Sequence, residues 1–409
     1  MKKLLQINTV INSGSTGHIA EEIGQLAIQR GWESYIAYGR NERRSDSIKI
    51  KIGNKQSVYL HVLKTRLFDK HGFGSKKATK RFIREIELIK PDIIHLHNIH
   101  GYYINIELLF NYLSGLNIPI VWTLHDCWSF TGHCAHFEYV KCAKWKQSCH
   151  SCPQKSNYPA SRFCDNSKNN QKAKRILFTS VSNITIVSVS KWLNNLISNS
   201  FLSNYTRKII YNGINTNIFF PRSSHAVRAT YSIKESDFMI IGVASTWDYR
   251  KGLSDFIHLS QLIDAEIKIV LVGVADKQKK LLPKNIIAIN RTENQEKLAE
   301  LYSIADVVLN LSYEESFGLT TVEGFACGTP SIVYNCTASP ELITDETGFV
   351  VEANDFQGII RAINTIKEKG KSYYSESCKK RVADLYDKDT QYNKYIDLYE
   401  EILNANSNP

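Results

Sequence analysis

At 409 residues, 43% of them hydrophobic and 22% charged, the chain is too long for one ordinary core and too evenly mixed to be disordered or fibrous, so two globular domains are expected. No uninterrupted apolar run approaches the ~18–20 residues of a membrane span; the greasiest stretches, such as 185–190 and 266–273, are broken by polar residues. A formal net charge of +11 points to anionic partners, whether phosphate-bearing ligands, acidic lipid headgroups or nucleic acid, without choosing among them.

The start, Met1-Lys2-Lys3-Leu4-Leu5, imitates the basic end of a signal peptide. Its apolar part is short and no small-residue cleavage site follows, so residues 3–10 read as a first strand. Next comes Asn12-Ser13-Gly14-Ser15-Thr16-Gly17-His18, which opens a helix. In that helix Ile19, Ile23, Leu26, Ala27 and Arg30 keep helical spacing, and Gly31 is the stop. Gly14 and Gly17 allow the backbone to approach a phosphate or sugar closely, although such turns also occur simply because they are tight. Further strands are expected at 34–38, 92–97, 119–126 and 185–190.

Between them lies the densest basic block, Lys64 to Arg84. Lys64, Arg66, Lys70, Lys76, Lys77, Lys80, Arg81 and Arg84 interleave there with Leu67, Phe68, Phe73, Phe82 and Ile83. It reads either as a solvated helix face or as a membrane-surface patch. Residues 128–170 show no clean period and carry Cys134, Cys142, Cys149, Cys152 and Cys164. Nine cysteines without an export signal point to a reducing compartment. Cys134, Cys142, Cys149 and Cys152, with their Cys-x2-Cys end, either hold a structural zinc, with His136 or His150 as substitute ligands, or remain free buried thiols. Their expected task is to staple a loop-rich insertion, not catalysis.

The same grammar restarts at 238–243 and continues at 266–273, 285–290, 306–312 and 331–335. Strands alternating with helices imply parallel sheets with right-handed crossovers, so the chain is α/β with a second Rossmann-like sheet and a hinge near residue 206. After the first strand of that sheet, Arg250 and Lys251 can supply positive charge to an anionic ligand such as a diphosphate; elsewhere such a pair is a solvated turn. The stretch from Ser312 to Pro330 (SYEESFGLTTVEGFACGTP) reads as strand, loop, short helix, glycine stop, strand. Strand 306–312 delivers the chain to the carboxyl edge of the sheet, where the helix beginning near Leu319 presents unpaired N–H groups. Ser316, Phe317, Gly318, Leu319 and Thr320 are therefore expected around a diphosphate. Glu315 and Glu323 are expected to flank the ligand, reaching sugar and ribose hydroxyls. Taken alone, Glu323 would be a dipole-complementing first-turn acid and Gly328-Thr329-Pro330 plain helix termination.

The whole string resembles the Glu-x7-Glu signature of the large retaining glycosyltransferase family four. Ile209 to Pro221 (IIYNGINTNIFFP) resembles that family's interdomain segment, with Asn215 in place of its usual Asp. Val187-Ser188-Val189-Ser190-Lys191 and Pro91 to Asn98 resemble further family segments. Ile99 to Asn105 and His125-Asp126 resemble a subgroup that builds bacterial surface polysaccharides of capsule, O-antigen or colanic-acid type. His125 resembles the family histidine near the transferred sugar; His133 and His136 have no such support. In the family an arginine stands five positions before Lys251. Here that place is Thr246, and Arg250 is expected to take over its task.

The resemblance implies a GT-B fold, two facing Rossmann-like domains with parallel sheets and an interdomain cleft. Residues 1–205 would form the acceptor-side domain with the Cys-rich insertion at about 128–170, and 206–388 the nucleotide-sugar-binding domain. Residues 389–409, including a helix at about 390–403, would return to the first domain. It implies retaining transfer from a nucleotide-diphosphate sugar, UDP- or GDP-linked, to a glycan acceptor carried on a polyprenyl diphosphate. The expected place is the inner face of the cytoplasmic membrane, as a peripheral protein. No metal or other cofactor is expected in catalysis, and no nucleic acid as partner. The competing readings are a non-catalytic nucleotide-sugar or nucleic-acid binding protein and a GT-B sugar-nucleotide epimerase; the intact Glu315 and Glu323 pair speaks against the first being a dead enzyme, and the family-four string speaks against the second.

Overall fold

The computed structural model describes residues 1–223 and 225–407. The chain divides into two compact units, Met1–Tyr211 joined by the chain from Tyr392, and Asn212–Gln391. The first unit carries seven strands: β1 Lys3–Val10, β2 Glu33–Arg40, β3 Ile48–Lys51, β4 Ile93–Leu96, β5 Ile120–Leu124, β6 Ile184–Ser188 and β7 Thr206–Ile209. They form one sheet in the order β3-β2-β1-β4-β5-β6-β7, parallel at every pairing. The second unit carries β8 Phe238–Val243, β9 Ile267–Val272, β10 Ile286–Ile289, β11 Val307–Asn310, β12 Ser331–Tyr334 and β13 Gly348–Val351. Their order is β10-β9-β8-β11-β12-β13, again parallel throughout. Each sheet reverses direction beside its first strand, the arrangement that places ligand-binding loops at the carboxyl ends of the strands next to the switch point.

The central strands are apolar on both faces because helices cover both faces of such a sheet. Leu4, Leu5 and Ile7 of β1, and Met239, Ile240 and Ile241 of β8, are wholly buried. Three strands escape the sequence reading, β3, β7 and β13. Each has only four residues, and β3 (IKIK) and β7 (TRKI) are largely exposed, so polar edge positions erase the apolar run that marks a buried strand. β7 also corrects the hinge. Ser188 of β6 pairs with Ile209, so 206–209 complete the first sheet and the division falls after Tyr211.

The helix Lys388–Ser407 ends in the first unit. Tyr392, Tyr395, Ile396, Leu398 and Tyr399 share a buried cluster with Leu4, Ile19, Ile23 and Trp32. Tyr399 Oη lies 2.6 Å from His95 Nδ1, and Thr123 Oγ1 donates to Tyr395 Oη at 3.1 Å. The basic block is not one helix but two, Lys55–Phe68 and Lys76–Ile89. The first closes on Asp69 in the left-handed region, and Ser75 caps the second, also left-handed. Among the described residues no helix is long and apolar enough to cross a membrane.

Candidate functional site

In the second unit β8 ends at Val243 and the chain turns through 244–252. Asp248 shapes this turn: its carboxylate accepts from the backbone N–H groups of Arg250 and Lys251 at 3.0 and 3.2 Å. Gly252 closes it at φ +72, where an added Cβ would stand 2.3 Å from the carbonyl oxygen of Leu311; no other residue fits there. The turn is thereby pinned to the end of β11, and Tyr313 N–H donates to Arg250 O at 2.8 Å. That union brings Lys251 Nζ to 2.6 Å from Glu315 Oε1, although 64 positions separate them. Arg250 is held by Asp248 at 2.9 Å and lies 3.8 Å from Glu314. Its charge is thus already shared between two carboxylates. Thr246, where the family carries arginine, is exposed.

Glu315 sits in the loop after β11, with its N–H bonded to Thr337 Oγ1 at 2.9 Å and its carbonyl to Ala338 N–H. The loop enters the helix Leu319–Ala326 through Gly318 at φ +105, a conformation that glycine adopts without strain. The first-turn N–H groups of Leu319 and Thr320 have no acceptor within a helix, so they and the positive end of the dipole are available to an anion. Ser316, Leu319 and Thr320 are partly exposed beside this start. Phe317 is different. It is 3% exposed and its ring meets Tyr386 edge-on at 5.6 Å, so its side chain anchors the loop and only its backbone can serve a ligand.

Glu323 lies one turn further along the same helix and is partly exposed. Tyr302 Oη donates to its Oε2 at 2.9 Å. Burial raises the Glu323 carboxyl to about 7, with the Tyr302 hydrogen bond opposing. Sequence reasoning missed Asp255, whose Oδ2 accepts from Tyr313 and Tyr334 hydroxyls, both at 2.8 Å, and so fixes the β11 and β12 ends. No motif marks it; only the fold joins these positions.

In the first unit Gly14 begins the helix Gly14–Gln29 and is exposed at φ +62, whereas Gly17 is buried in its first turn. A Cβ on Gly17 would meet Val10 Cγ2 at 3.0 Å and Asn12 N at 3.3 Å, so its smallness lets the helix start fold onto the end of β1. His125, just past β5, stacks with His97 at 5.5 Å between ring centroids. Its Nε2 is 3.2 Å from His97 Nδ1, and His97 Nε2 is 3.0 Å from Gln6 Oε1. Burial holds His125 down at about 4, with Asp126 opposing and His100 assisting. Burial also lowers His95 and His97 well below the ordinary imidazole range. These rings are neutral hydrogen-bonding groups at neutral pH. Asp126 pairs with His100 Nε2 at 2.9 Å, while His100 Nδ1 is 3.1 Å from Tyr158 Oη. Burial works against the Asp126 carboxylate, yet His100 and the Trp128 N–H outweigh it and hold the group well below the ordinary range. The His95-x-His97 pair was visible in the sequence without a chemical reason to single it out.

Cys134 and Cys149 are buried and Cys142 and Cys152 half-buried, all as free thiols. His133 Nδ1 lies 2.5 Å from Asp69, so this histidine, which nothing in the sequence supports individually, is tied to the end of the helix Lys55–Phe68.

Comparison with known proteins agrees with this architecture. The family model described as "Glycosyltransferase Family 4" matches residues 14–218, and the one described as "Glycosyl transferases group 1" matches 226–382. The chain is 23% identical over 377 residues to the Escherichia coli K12 protein named "Putative colanic acid biosynthesis glycosyl transferase WcaC", covering 88% of this chain and 89% of that one. Sucrose-phosphate synthase from Thermosynechococcus elongatus superposes with a TM-score of 0.73 at 16% identity, over 99% of this chain and 100% of the other. HepE of Anabaena, solved in complex with UDP-glucose, gives 0.69 at 14% identity over 98% and 100%. The two parallel Rossmann-like sheets, the Glu315 to Glu323 segment at the end of β11 and the family match over more than half its length place this chain in glycosyltransferase family four, as a GT-B glycosyltransferase.

Proposed function

We propose that the protein transfers a sugar, with retention of anomeric configuration, from a nucleotide-diphosphate sugar to a lipid-linked glycan in surface polysaccharide assembly. The observation that supports this most is the 2.6 Å pair between Lys251 and Glu315, set in the loop that leads into the helix start after Gly318. A departing diphosphate needs a cation and unpaired N–H donors, and both are within this one loop system. UDP or GDP is the proposed carrier, as in HepE, whose structure contains UDP-glucose.

In the proposed reaction the bond between the sugar C1 and the β-phosphate oxygen breaks while the acceptor oxygen bonds to C1 on the same face. The acceptor proton moves to a β-phosphate oxygen. Lys251 and the N–H groups of Leu319 and Thr320 stabilise the growing negative charge, with backbone help from Ser316, Phe317 and Gly318. Arg250 contributes less, because Asp248 and Glu314 already engage it. Glu315, ion-paired with Lys251, is a poor nucleophile and a good acceptor for sugar hydroxyls, and neutral His125 is a second group of the chain suited to hydrogen-bond a sugar hydroxyl. Glu323 takes the ribose. Gly14 and Gly17 leave room for a phosphate or sugar to approach the backbone at the start of the first unit's first helix closely. No step requires a metal ion.

The acceptor is proposed to be a polyprenyl-diphosphate-linked oligosaccharide at the inner face of the cytoplasmic membrane. In support, Lys76, Lys77, Lys80, Arg81 and Arg84 are exposed, and the neighbouring helix exposes Tyr59, Leu60, Leu63 and Phe68. Lys77, Arg81, Leu60 and Phe82 also line a groove of about 550 Å³. Basic and apolar side chains together are what an anionic bilayer surface attracts.

A thermal-shift screen against UDP-, GDP-, ADP- and CMP-sugars tests the donor assignment. One nucleotide class should raise the melting temperature selectively by mass action, and the same donor should be consumed with an acceptor lipid. Binding without turnover on any acceptor would favour a non-catalytic nucleotide-sugar binder instead. Replacing Lys76, Lys77, Lys80 and Arg81 with glutamine should abolish sedimentation with anionic vesicles; unchanged sedimentation removes this patch.

A further inference from the structure

No step of the proposed transfer uses the cysteine-rich stretch of the first unit, yet the fold gathers what the sequence spreads out. Cys134, Cys142, Cys149 and Cys152 line one small cavity together with His133 and His150. Its volume is about 10 Å³, close to the room a single water-sized guest needs. The Cys134 and Cys152 thiols hydrogen-bond to one another. Gly132 N–H donates to Cys149 Sγ at 3.3 Å, the kind of backbone contact that steadies sulfur in its charged form.

Two buried groups that are not cysteines lie beside this cavity with donors that a negatively charged site can use. Lys174, from the helix Ser167–Phe178, is 1% exposed. Its Nζ donates to the carbonyls of Trp128 and Thr131 at 2.7 and 3.1 Å and lies 3.3 Å from the Trp128 ring centroid. Among the described residues no ion pair includes it. His133 is 2% exposed; Asp69 holds its Nδ1, and its Nε2 has no hydrogen-bond partner among the described residues. Asp69 thereby fixes the orientation of the His133 ring at the cavity wall. A zinc tetrathiolate carries a net charge of about −2, which the Lys174 ammonium and a His133 N–H can both meet.

We propose that Cys134, Cys142, Cys149 and Cys152 bind one zinc ion tetrahedrally, with Lys174 and the Nε2–H of His133 meeting the negative charge of the site. Binding forms four Zn–S bonds and releases the four thiol protons to solvent. Among the described residues no group of three or more His, Cys, Asp or Glu side chains is already drawn together at metal-holding distances. Zn–S bonds of ~2.3 Å therefore require the thiols to rotate inward into the cavity that they line. Cys149 and Cys152 form one jaw, Cys134 and Cys142 the other. The ion then ties an irregular segment, whose one regular turn is Lys144–Lys146, to the helix that carries Lys174 and, through His133 and Asp69, to the end of the helix Lys55–Phe68.

The test is metal analysis of the full-length chain purified without chelator and without a histidine tag. About one zinc per chain is expected, retained in Cys164→Ser and lost in Cys149→Ser and Cys152→Ser, since removing a ligand from a structural site forfeits most of its affinity. A measurement on the unaltered chain guards against variants that fail to fold. After zinc removal, cobalt(II) should restore the melting temperature and give thiolate-to-cobalt charge-transfer absorption with tetrahedral ligand-field bands. A folded, unaltered chain that holds no zinc after zinc-supplemented expression and shows no cobalt–thiolate absorption would overturn the proposal, as would zinc content unchanged in Cys149→Ser.

Discussion

The carboxyl ends of the two sheets carry opposite kinds of chemistry. After β8 and β11 the groups are ionic and already paired, Lys251 with Glu315 and Arg250 with Asp248. After β4 and β5 the groups include three neutral rings, His95, His97 and His125, all kept uncharged by burial, beside the Asp126 carboxylate that His100 holds. An anionic leaving group calls for the first arrangement; hydroxyl recognition without proton exchange is served by the second. The difference teaches that one fold, used twice, is specialised by the side chains at its strand ends.

The comparison breaks most severely if the cation is dispensable. Lys251→Ala should lower kcat by about 10²–10³-fold, the usual loss when one preorganised charge-stabilising donor is removed; steady-state rates measure it, and a loss below tenfold would put the leaving-group role elsewhere. Glu315→Gln should cost kcat about 10²-fold while leaving nucleotide affinity nearly unchanged, because the contact is with the sugar. His125→Ala should cost about tenfold through one lost neutral hydrogen bond. With His125 held at about 4, the pH–rate profile between 6 and 8 should keep its shape in that variant. A profile that loses a limb would make the ring a proton carrier.

Glu323 sharpens the picture by a smaller, pH-dependent effect. Its carboxyl is raised to about 7 from an ordinary 4.5. The folded chain therefore binds more protons than the unfolded chain between those values, and this group's contribution to stability falls as pH rises through that window. The melting temperature of the ligand-free protein should accordingly decline from pH 5 to 8 more steeply than that of Glu323→Gln. Donor affinity should move the other way and strengthen above pH 7, where the ionised carboxylate accepts ribose hydroxyls. Parallel titrations of the protein and of Glu323→Gln check both signs.

Much of the second unit's site was legible because its pieces are contiguous: strand, loop, glycine and helix run in order from Val307 to Ala326. The Lys251–Glu315 contact could be expected only through family resemblance, since residues so far apart meet because Gly252 lets one turn lie against Leu311. In the first unit periodicity revealed β1, β2, β4, β5 and β6 but not β3 or β7, whose polar edge positions hide them. Lys174 was illegible. A lysine in a polar helix reads as solvated, and only the fold turns it inward onto Trp128. The Asp69–His133 pair was hidden for the same reason, as its partners lie 64 positions apart.

Calorimetric titration of the unaltered chain and of Lys251→Ala with UDP, UMP, GDP and GMP tests the central claim most directly. The account predicts that one diphosphate binds at least about tenfold more tightly than its monophosphate, ~1.4 kcal/mol, and that Lys251→Ala removes most of this advantage. Equal affinity for diphosphate and monophosphate, unaffected by Lys251→Ala, would contradict it.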